Sequence, residues 1–533
     1  MSTGDQTFDF IVVGAGSAGC VLAARLSEDS RHTVALLEAG GSDWNPLYRM
    51  TFLAGRLYRW PINNWSYYTE PQEHLGQRKI YLPRGKMFGG SFIFNGAVYI
   101  RGNRWDYDHW RDLGNEGWSY EEVLPYFKRS EHYQDGANAF HGAEGSLWVQ
   151  HAPLNPLSAG FVEAAVEAGH QHNPDFNGES QDGFGAFDHN IKDGKRWTTA
   201  AGFLRPAMAR ANLHVETKAT ARRIVFEEGR AVAVEFMQEG KLRRISARRE
   251  IVLAGGAVNS PQLLMLSGIG DGTALGQHGI AKVHHLPGVG RNLQDHPDFI
   301  FGYASDSPHF FGTSLKGIPR LIRGIGQYRK ERRGPITTNF AECGGFLKTR
   351  PDLDIPDIQL HFGMSIVDDH GRKRHRSTGF SCHVCLLRPK SRGSVSLGSA
   401  DPLAAPVIDP NFLGEDADLE AMVAGFKTTR RLMETPALRA LQTKDMFTAD
   451  VKTDDDIRKL LRARVDTVYH PVGTCRMGND ATAVVDPELR VHGLQGLRVV
   501  DASIMPTLIG GNTNAPTIMI GEKAADMIRA EMH

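Results

Sequence analysis

Hydrophobic and polar positions at the start of the chain follow the pattern of a β-α-β unit. An apolar run at residues 8–13, FDFIVV, precedes GAGSAG, and the segment VLAARLSED then places apolar residues at helical spacing. A second apolar run, TVALLEAG, completes the pattern within about 30 residues, the length that such a unit takes. The pattern predicts two parallel strands joined by a helix.

The pattern changes further along the chain. Strand signals return at 213–226, 232–237 and 249–254, before a glycine-rich turn and a helix. Between residues 300 and 455 the pattern becomes one of alternating strands, such as PDIQLHFGM and FSCHVCLL, with two long helical patterns. The C-terminal residues revert to strands punctuated by Gly and Pro and finish on a helix, APTIMIGEKAADMIRAEM. We expect a discontinuous α/β domain with a second, sheet-based domain inserted into it.

Composition and charge exclude several classes of protein. Lys+Arg and Asp+Glu number 61 each, so no global field attracts nucleic acid, and we expect no nucleic acid partner. The N-terminal residues lack the pattern of a signal peptide, and no apolar run reaches the length of a membrane span, so a cytoplasmic protein is expected. The basic stretch Arg320–Arg333 could lie on a membrane surface, but we favour a solvated helix. Any membrane association is therefore expected to be peripheral.

The five cysteines are few and scattered, which is not typical of a disulfide framework. Cys382 and Cys385 form C-x-x-C within an apolar strand pattern, where their side chains point to opposite faces. Core packing is therefore favoured over redox or metal chemistry. Histidines elsewhere lack metal-ligand spacing with Cys or carboxylates, so no metal is predicted.

The GAGSAG segment carries the first candidate chemistry. Gly14, Gly16 and Gly19 form G-x-G-x-x-G between a strand and a helix, where they allow a tight turn, close approach of a pyrophosphate and close helix–strand packing. Glu38 ends the next strand, where a carboxylate binds both ribose hydroxyls and repels a 2′-phosphate. These residues predict dinucleotide binding, with NAD and FAD both open at this point.

Five segments resemble the glucose–methanol–choline oxidoreductase family. They are PRGKMFGGSFIFNGAVYIRG (83–102), GAVNSPQLLMLSGIG (256–270), LPGVGRNLQDHP (286–297), YHPVGTCRMG (469–478) and LRVVDASIMPTLIGGNTNAPTIMIGEKAADMI (497–528). The segment at 256–270 satisfies every position of the family pattern. The segment at 83–102 departs from it, because the family usually has a small residue at Phe92 and aliphatic residues at Phe88 and Phe94. Phe94 stands where some relatives carry a histidine joined covalently to the flavin.

The resemblance implies FAD, held non-covalently, and an α/β fold. A discontinuous Rossmann-type FAD-binding domain would comprise residues 1–155, 200–300 and 458–533. An inserted α+β substrate-binding domain, built on an antiparallel sheet, would comprise 156–199 and 301–457. How the rings of Phe92 and Phe94 affect substrate access stays open.

The resemblance also implies the cofactor contacts. The adenosine end would lie at Gly14–Glu38, with Ala221 at the adenine, and the flavin beneath the 85–98 loop, with Asn95 and Val98 against its ring. The helix starting near Asn514–Pro516 would point its N-terminus at the flavin. The complete predicted set is Gly14, Gly16, Ser17, Ala18, Gly19, Glu38, Ala39, Gly85, Gly89, Gly90, Asn95, Gly96, Ala97, Val98, Ala221, Asp501, Ala502, Asn512, Thr513, Asn514 and Thr517.

His470 and Asn514 are the catalytic residues that the resemblance implies. His470 would accept the proton of an alcohol, since an ordinary imidazole, with a pKa of about 6.5, is largely neutral at physiological pH. Asn514 would hold the alcohol oxygen, and it is also suited to cap the helix that follows. The α-carbon would lie over flavin N5, which receives the hydride.

The expected reaction is oxidation of a primary or unhindered alcohol to the aldehyde. Alternatives are an oxidase of the same family that produces H₂O₂, a polyol or sugar dehydrogenase and, least favoured, a flavin-binding or lyase-type relative that does not oxidise alcohols. The partners are a small-molecule alcohol and either O₂ or a quinone or respiratory acceptor. The loop at 60–71 is compatible with a lid over the flavin edge or with its structural cover. The particular alcohol, the acceptor and the oligomeric state stay open.

Overall fold

The computed structural model describes residues 6–51, 61–307, 318–332, 334, 337–373 and 375–532. The helix predicted after GAGSAG begins at Ser17, and the predicted C-terminal helix begins at Asn514. The α-helices are Ser17–Leu26, Arg104–Asp112, Tyr120–Ser130, Pro156–Glu167, Arg205–Ala207, Gly256–Leu266, Gly272–Gln277, Ile318–Glu331, Asp416–Met433, Pro436–Arg439, Asp454–Arg464 and Asn514–Ala530.

A seven-stranded sheet, the mixed sheet, is built around the N-terminal β-α-β unit. Its strands in spatial order are Leu213–Glu216, Val34–Leu37, Gln6–Val13, Lys241–Leu253, Arg230–Gln238 and Thr220–Glu227, and Leu497–Val499 also pairs with Lys241–Leu253. The first four strands and Leu497–Val499 pair in parallel, and the other two pairings are antiparallel. Val34–Leu37 is buried throughout, as parallel strands covered on both faces are. The predicted Rossmann-type unit is confirmed.

One predicted strand corresponds to two separate strands in the structure. The run at 213–226 forms two strands, Leu213–Glu216 and Thr220–Glu227, which lie at opposite edges of the mixed sheet. Lys218 between them has a left-handed φ of +54°, which turns the chain. A strand period alone does not reveal such a turn, because Lys is not a residue that favours this conformation.

A second seven-stranded sheet, the antiparallel sheet, confirms the predicted architecture of the inserted unit. Its strands in spatial order are Lys444–Asp445, Pro297–Ala304, Gly379–Leu386, Ile358–Gly363, Cys343–Leu347 and Gly183–Ala186, and Asp466–Thr467 also pairs with Pro297–Ala304. All of these pairings are antiparallel. Cys382 and Cys385 are buried in different hydrophobic clusters, on opposite faces of their strand, as expected.

Each of the two large sheets has its own hydrophobic core. The core of the mixed sheet includes Val21 and Leu22 from the first helix and Ile518 from the last helix. The core of the antiparallel sheet includes Val384 and, from the helix Asp416–Met433, Phe426. Two separate cores agree with two units that each bury an apolar face.

Strand pairing crosses the predicted domain boundaries. A four-stranded sheet joins strands on both sides of 155/156: Val98–Tyr99, Asp188–His189, Leu147–His151 and Glu131–Tyr133. Smaller pairs are Tyr67–Tyr68 with Tyr81–Leu82, Ile191–Lys192 with Lys195–Arg196, Ile269–Gly270 with His284–His285, and Ser394–Ser396 with Val407–Asp409. The domain boundaries therefore stay a prediction.

The helix Ile318–Glu331 contains most of the basic stretch Arg320–Arg333, and Ile325 on it is 40% exposed. Arg333 itself lies outside the described residues. In the part of the chain that the structure describes, no helix combines the length and the apolar character needed to cross a membrane.

Candidate active site

A cavity of about 820 Å³ extends from the carboxyl ends of the parallel strands to the antiparallel sheet. The mixed sheet contributes Val13, Leu37 and Leu253 to its wall, and the antiparallel sheet contributes His361 and His383. Ligand-binding cavities in open α/β folds occupy this position, outside the carboxyl ends of the strands. We call the part of the cavity next to the first glycine turn the nucleotide end, and the part next to the antiparallel sheet the reactive end.

The glycine turn is compact on one side and open on the other. Gly14 has a φ of +105°, and a Cβ on Gly19 would lie 1.8 Å from the carbonyl oxygen of Gly14. A Cβ on Gly16 would meet nothing closer than 3.8 Å, so there is space directly above this residue. The helix that begins at Ser17 has no side-chain cap and no acidic residue in its first turn. Its free N–H groups therefore point at a site suited to a phosphate.

Glu38 lies directly after the strand Val34–Leu37 and lines the nucleotide end. It accepts backbone N–H bonds from Ala15 (2.9 Å) and Gly40 (2.8 Å), which fix its carboxylate. Burial raises the pKa of Glu38, and the two N–H donors oppose this shift. The side chain is held in place by the same turn that would receive a dinucleotide.

The loop at 85–98 covers the cavity from the other side. A Cβ on Gly90 would lie 2.9 Å from the Cα of Gly16, so this loop touches the glycine turn directly. Asn95 accepts hydrogen bonds from the N–H of Ala97 (2.9 Å) and from Nη1 of Arg196 (2.8 Å). Arg196 is buried, and its Nε and Nη2 have no hydrogen-bond partner among the described residues. Burial lowers the pKa of Arg196 to about 9.

Asp501 joins the C-terminal strand to another helix start. It accepts hydrogen bonds from the N–H of Gly256 (2.8 Å) and from Oγ of Ser260 (2.6 Å), both in the helix Gly256–Leu266. Burial raises the pKa of Asp501. Asp501 and Ala502 both line the cavity, between its nucleotide and reactive ends.

His470 lines the reactive end and is fixed by its neighbours. The backbone N–H of His470 donates to Asp295 Oδ1 at 2.8 Å. Its ring Nδ1 lies 3.0 Å from Nδ1 of His296. Its Nε2 lies 3.3 Å from Nδ2 of Asn512. Tyr469, the preceding residue, has a left-handed φ of +71°, which is strained for a bulky side chain and is typical of functional sites.

The hydrogen bonds of His296 determine the tautomer of His470. Nε2 of His296 lies 3.1 Å from the carbonyl oxygens of Leu387 and Ile509, so it carries the proton. Burial lowers the pKa of His296 to about 3, which makes the ring neutral and its Nδ1 an acceptor. The proton between the two rings therefore belongs to Nδ1 of His470. Its Nε2 is left with a lone pair that is directed at Asn512 and the cavity.

Electrostatics keep His470 neutral. Burial lowers its pKa well below the ordinary value, and the nearby His296, His361 and Arg84 add to this shift. Arg84 donates to the carbonyl of Tyr469 at 3.0 Å, so its positive charge lies next to His470. A neutral imidazole with a free Nε2 is the form that accepts a proton.

Most of the predicted site residues line this one cavity. They are Gly14, Gly16, Ser17, Ala18, Glu38, Ala39, Gly85, Gly90, Asn95, Gly96, Val98, Ala221, His470, Asp501, Ala502, Asn512, Thr513, Asn514 and Thr517. Gly19, Gly89 and Ala97 lie behind its wall, where they shape the two loops. Phe92 and Phe94 both line the cavity, and Phe92 is only 1% exposed.

The structure places Asn512, and not Asn514, against His470. Oδ1 of Asn514 accepts a hydrogen bond from Oγ of Ser17 at 2.6 Å, and its buried Nδ2 has no partner among the described residues. Asn512 is oriented by Gln359, whose Nε2 donates to Oδ1 at 3.3 Å. The helix begins at Asn514 with Thr513 at its N-cap, so the expectation that Asn514 caps this helix is wrong, and its side chain is bonded to Ser17 of the first helix instead.

Sequence analysis missed four residues that contact His470 or its preceding residue or influence its pKa: Arg84, Asp295, His296 and His361. Arg84 lies within the quoted segment 83–102, and Asp295 and His296 lie within 286–297, so the signal was present, but nothing in it indicated contact with His470. His296 and His470 are 174 residues apart in the chain.

A dinucleotide cradle that opens onto a neutral base is the arrangement of a nucleotide-dependent oxidoreductase. Residues 8–298 and 389–521 match the N-terminal and C-terminal models of the GMC oxidoreductase family. The chain belongs to this family.

Similar proteins match the chain over nearly its whole length. An alcohol dehydrogenase [acceptor] of Pseudomonas putida is 46% identical over 98% of this chain and 95% of its own. Mitochondrial choline dehydrogenase of Mus musculus is 42% identical over 99% of this chain and 90% of its own. Among solved structures, pyridoxine 4-oxidase from Mesorbium loti is 30% identical with a TM-score of 0.89, and covers 99% of both chains. A formate oxidase variant of Aspergillus oryzae RIB40 is 27% identical with a TM-score of 0.92 and the same coverage.

The protein is thus an FAD-dependent oxidoreductase that acts on CH–OH groups. The residues present fit the cofactor. The space above Gly16 admits a pyrophosphate, the helix start at Ser17 offers uncapped N–H groups, and Nδ2 of Asn514 is a buried donor without a partner among the described residues. Position 94 is Phe, which offers no nitrogen for a covalent bond to the flavin.

Proposed function

We propose that the protein oxidises a primary or unhindered alcohol to the aldehyde, with His470 as the base. The observation that carries the proposal is the hydrogen-bond chain from the Leu387 and Ile509 carbonyls through His296 to His470, which leaves Nε2 of His470 unprotonated at the reactive end. Nε2 would accept the hydroxyl proton. FAD, when bound, supplies the acceptor for the hydride that leaves the α-carbon.

Asn512 is the residue that we propose as second partner of the alcohol oxygen. Its Nδ2 lies 3.3 Å from Nε2 of His470, so one oxygen atom can contact both groups. An amide N–H stabilises the negative charge that develops on oxygen as the proton leaves, and it does so without titrating itself. Two such contacts fix the direction of the C–H bond, which hydride transfer requires.

The proposed cofactor contacts follow the wall of the cavity. Gly16 and Ser17 would hold the pyrophosphate, Glu38 the ribose and Ala221 the adenine. Asn95, held by Arg196 and Ala97, would lie against the flavin. The loop that covers the flavin would also exclude water from the reacting atoms.

His470→Ala tests the proposal directly. The variant should keep its FAD absorbance and lose turnover of simple alcohols by at least about 10²-fold, the usual scale of general-base catalysis. His172→Ala is the matched control, because His172 is exposed and does not line the cavity. Full activity of His470→Ala would overturn the assignment.

The electron acceptor is tested in the same assays. The alcohol panel is run with O₂, where H₂O₂ is measured, and in parallel with a soluble quinone under anaerobic conditions. We propose an alcohol as electron donor in both cases, so reduction of the bound FAD by alcohol in the absence of any acceptor is the required first result. No bleaching with any alcohol would favour a flavin-binding or lyase-type protein.

A further inference from the structure

One of the buried arginines has no counter-charge. Among the described residues three arginines are buried: Arg101, Arg196 and Arg498. Arg101 is paired with Glu131 at 2.7 Å, and Arg498 with Glu250 at 2.8 Å. Burial alone shifts the pKa of Arg196, with no contribution from a carboxylate of the described chain. Because an unpaired buried charge is costly, we expect Arg196 to meet negative charge when the protein functions.

The residues outside the described chain do not supply the missing carboxylate. Asp5 is the only Asp or Glu among them. It precedes the eight-residue strand Gln6–Val13, which places it about 25 Å from the glycine turn at the far end of that strand. The C-terminal carboxylate follows the helix Asn514–Ala530, which extends about 25 Å away from the cavity. The charge of Arg196 is therefore uncompensated in the polypeptide.

Arg196 lies behind the loop that forms one wall of the cavity. Its Nη1 donates to Oδ1 of Asn95 at 2.8 Å and to the carbonyl oxygen of Phe92 at 3.2 Å. Asn95 and Phe92 line the cavity, and Arg196 is not among the described lining residues. Gly90, in the same loop, touches Gly16 of the glycine turn. The guanidinium is thus separated from the space for the cofactor by a single side chain.

The guanidinium also fixes the direction in which the amide of Asn95 faces. Oδ1 of Asn95 accepts from Nη1 of Arg196 and, at 2.9 Å, from the N–H of Ala97. Nδ2 of Asn95 makes no hydrogen bond to a described residue, so this donor is available to the cavity that Asn95 lines. A bond to a charged donor polarises the amide and strengthens its N–H groups as donors. The charge of Arg196 and the donor of Asn95 therefore both favour negative charge in the cavity.

We propose that Arg196 is a positioning residue that, through Asn95, stabilises the negative charge that FAD gains on reduction. The inference rests on the proposed cofactor contacts, because it requires the flavin to lie against Asn95. A hydride brings two electrons and one proton, so it adds one net negative charge to the neutral flavin ring. A positive charge at a site that excludes water favours this anion over the oxidised ring. Arg196 should thus raise the midpoint potential of bound FAD and make it a better hydride acceptor.

The pyrophosphate of FAD is a second anion that Arg196 could compensate. The pyrophosphate carries the same charge in oxidised and in reduced FAD, so a residue that compensates it changes the affinity for both forms equally. A residue shifts the midpoint potential only if it interacts differently with the two forms. The midpoint potential therefore separates the two roles, whereas flavin content alone does not.

Three variants, purified as holoenzymes and equilibrated with a redox dye of known potential, test the proposal. Arg196→Met removes the charge, so the equilibrium constant for reduction of bound FAD should fall at least about tenfold, which is about 30 mV for a two-electron couple. Arg196→Lys keeps the charge and should restore most of this loss. Lys195→Met is the matched control, because Lys195 is the exposed neighbour of Arg196 in the strand Lys195–Arg196. Water and salt screen its charge, so its loss should leave the potential unchanged.

Three results would overturn the inference. The first is a wild-type potential in Arg196→Met, which, combined with weaker FAD binding, would assign Arg196 to the pyrophosphate. The second is an equal loss in Arg196→Lys and Arg196→Met, which would show that the planar fork matters and the charge does not. Should Arg196→Met not retain FAD, Arg196→Gln is measured in its place. The third is loss of FAD from all of these Arg196 variants, which would assign a purely structural role.

This test and the test of the proposed function fail independently. The potential is measured without alcohol, so the absence of alcohol oxidation would leave the expected shift in Arg196→Met intact. Conversely, an unchanged potential in Arg196→Met would leave the proposed role of His470 as the base untouched.

Discussion

At the scale of single residues, the tautomer of His470 is set by groups that are not among the described residues lining the cavity. Two backbone carbonyls orient His296, and His296 in turn fixes the proton on Nδ1 of His470. Asp295 holds the backbone of the same base, and burial raises the pKa of Asp295 to about 6. In the proposed function, these contacts prepare His470 to accept a proton before any alcohol binds.

The two asparagines of GNTNAP should be separable by mutation. Asn512→Ala should lower kcat by about 10²-fold with FAD retained, because it removes a donor to the developing oxyanion. Asn514→Ala should reduce FAD content, because Asn514 is bonded to Ser17 at the start of the phosphate-facing helix. Turnover and the absorbance of bound flavin are measured on both variants.

The opposite result has a clear meaning. If Asn514→Ala lost turnover with a full complement of FAD, while Asn512→Ala stayed active, the hydroxyl partner would be Asn514, as the sequence analysis predicts. The sequence alone does not separate the two, because they are two positions apart in one loop. Only the point at which the helix begins decides which side chain turns towards His470.

At the scale of elements, the first β-α-β unit was predictable because its signals are local. A strand, a glycine turn, a largely buried helix and a second, fully buried strand follow one another within a short stretch, and each is recognised from its own residues. The contacts around His470 were not predictable, because they join strand ends and loops that are remote in sequence. Neither the pairing of His361 with His383 nor the contact of His383 with Asp298 follows from any periodic pattern.

The glycine turn offers a sharp test at this scale. Gly19→Ala places a Cβ 1.8 Å from the carbonyl oxygen of Gly14, so strand and helix must move apart. We expect destabilisation of about 1–3 kcal/mol, as overpacking gives, together with loss of FAD. Thermal unfolding and flavin content are the measurements.

Gly160→Ala is the control for this variant. Gly160 lies inside the helix Pro156–Glu167, and a Cβ there would meet nothing within 4 Å. Alanine should stabilise that helix by roughly 0.5–1 kcal/mol, because glycine loses more backbone freedom on folding. An unchanged Gly19→Ala protein that holds FAD normally would contradict the packing described for this turn.

At the scale of the whole molecule, the cavity joins two separately packed sheets. The mixed sheet holds the nucleotide end and the antiparallel sheet holds His361 and His383 at the reactive end. We therefore expect cofactor binding and substrate choice to depend on different cores. Substitutions in one core should leave the other property largely unaffected, as expected for distant and independent sites.

Buried neutral histidines should make the fold sensitive to acid. Burial lowers the pKa of His361 to about 3, whereas the unfolded chain takes up this proton near pH 6.5. The unfolded state thus binds more protons below pH 6.5, and stability falls as pH falls. Between pH 6.5 and pH 5, His361 alone should lower the free energy of unfolding by about 1.5–2 kcal/mol.

The effect of His361 is measured as a difference between two proteins. Denaturant unfolding of wild type and of His361→Asn is followed at pH 6.5 and at pH 5. The free energy of unfolding should fall more between these two pH values in the wild type than in the variant. Taking the difference cancels the contribution of the buried carboxylates to the pH dependence of stability. Asp295 is one of them, and its raised pKa makes the fold more stable as pH falls. Parallel pH profiles of the two proteins would show that His361 is not held neutral in the fold.

The first and last helices of the chain are bound to each other through Ser17 with Asn514 and Arg25 with Glu522. During translation, the N-terminal half of this cradle leaves the ribosome long before its C-terminal half exists. We therefore expect that FAD is captured only after the helix Asn514–Ala530 has been synthesised, and that a polypeptide truncated before Asn514 would stay colourless.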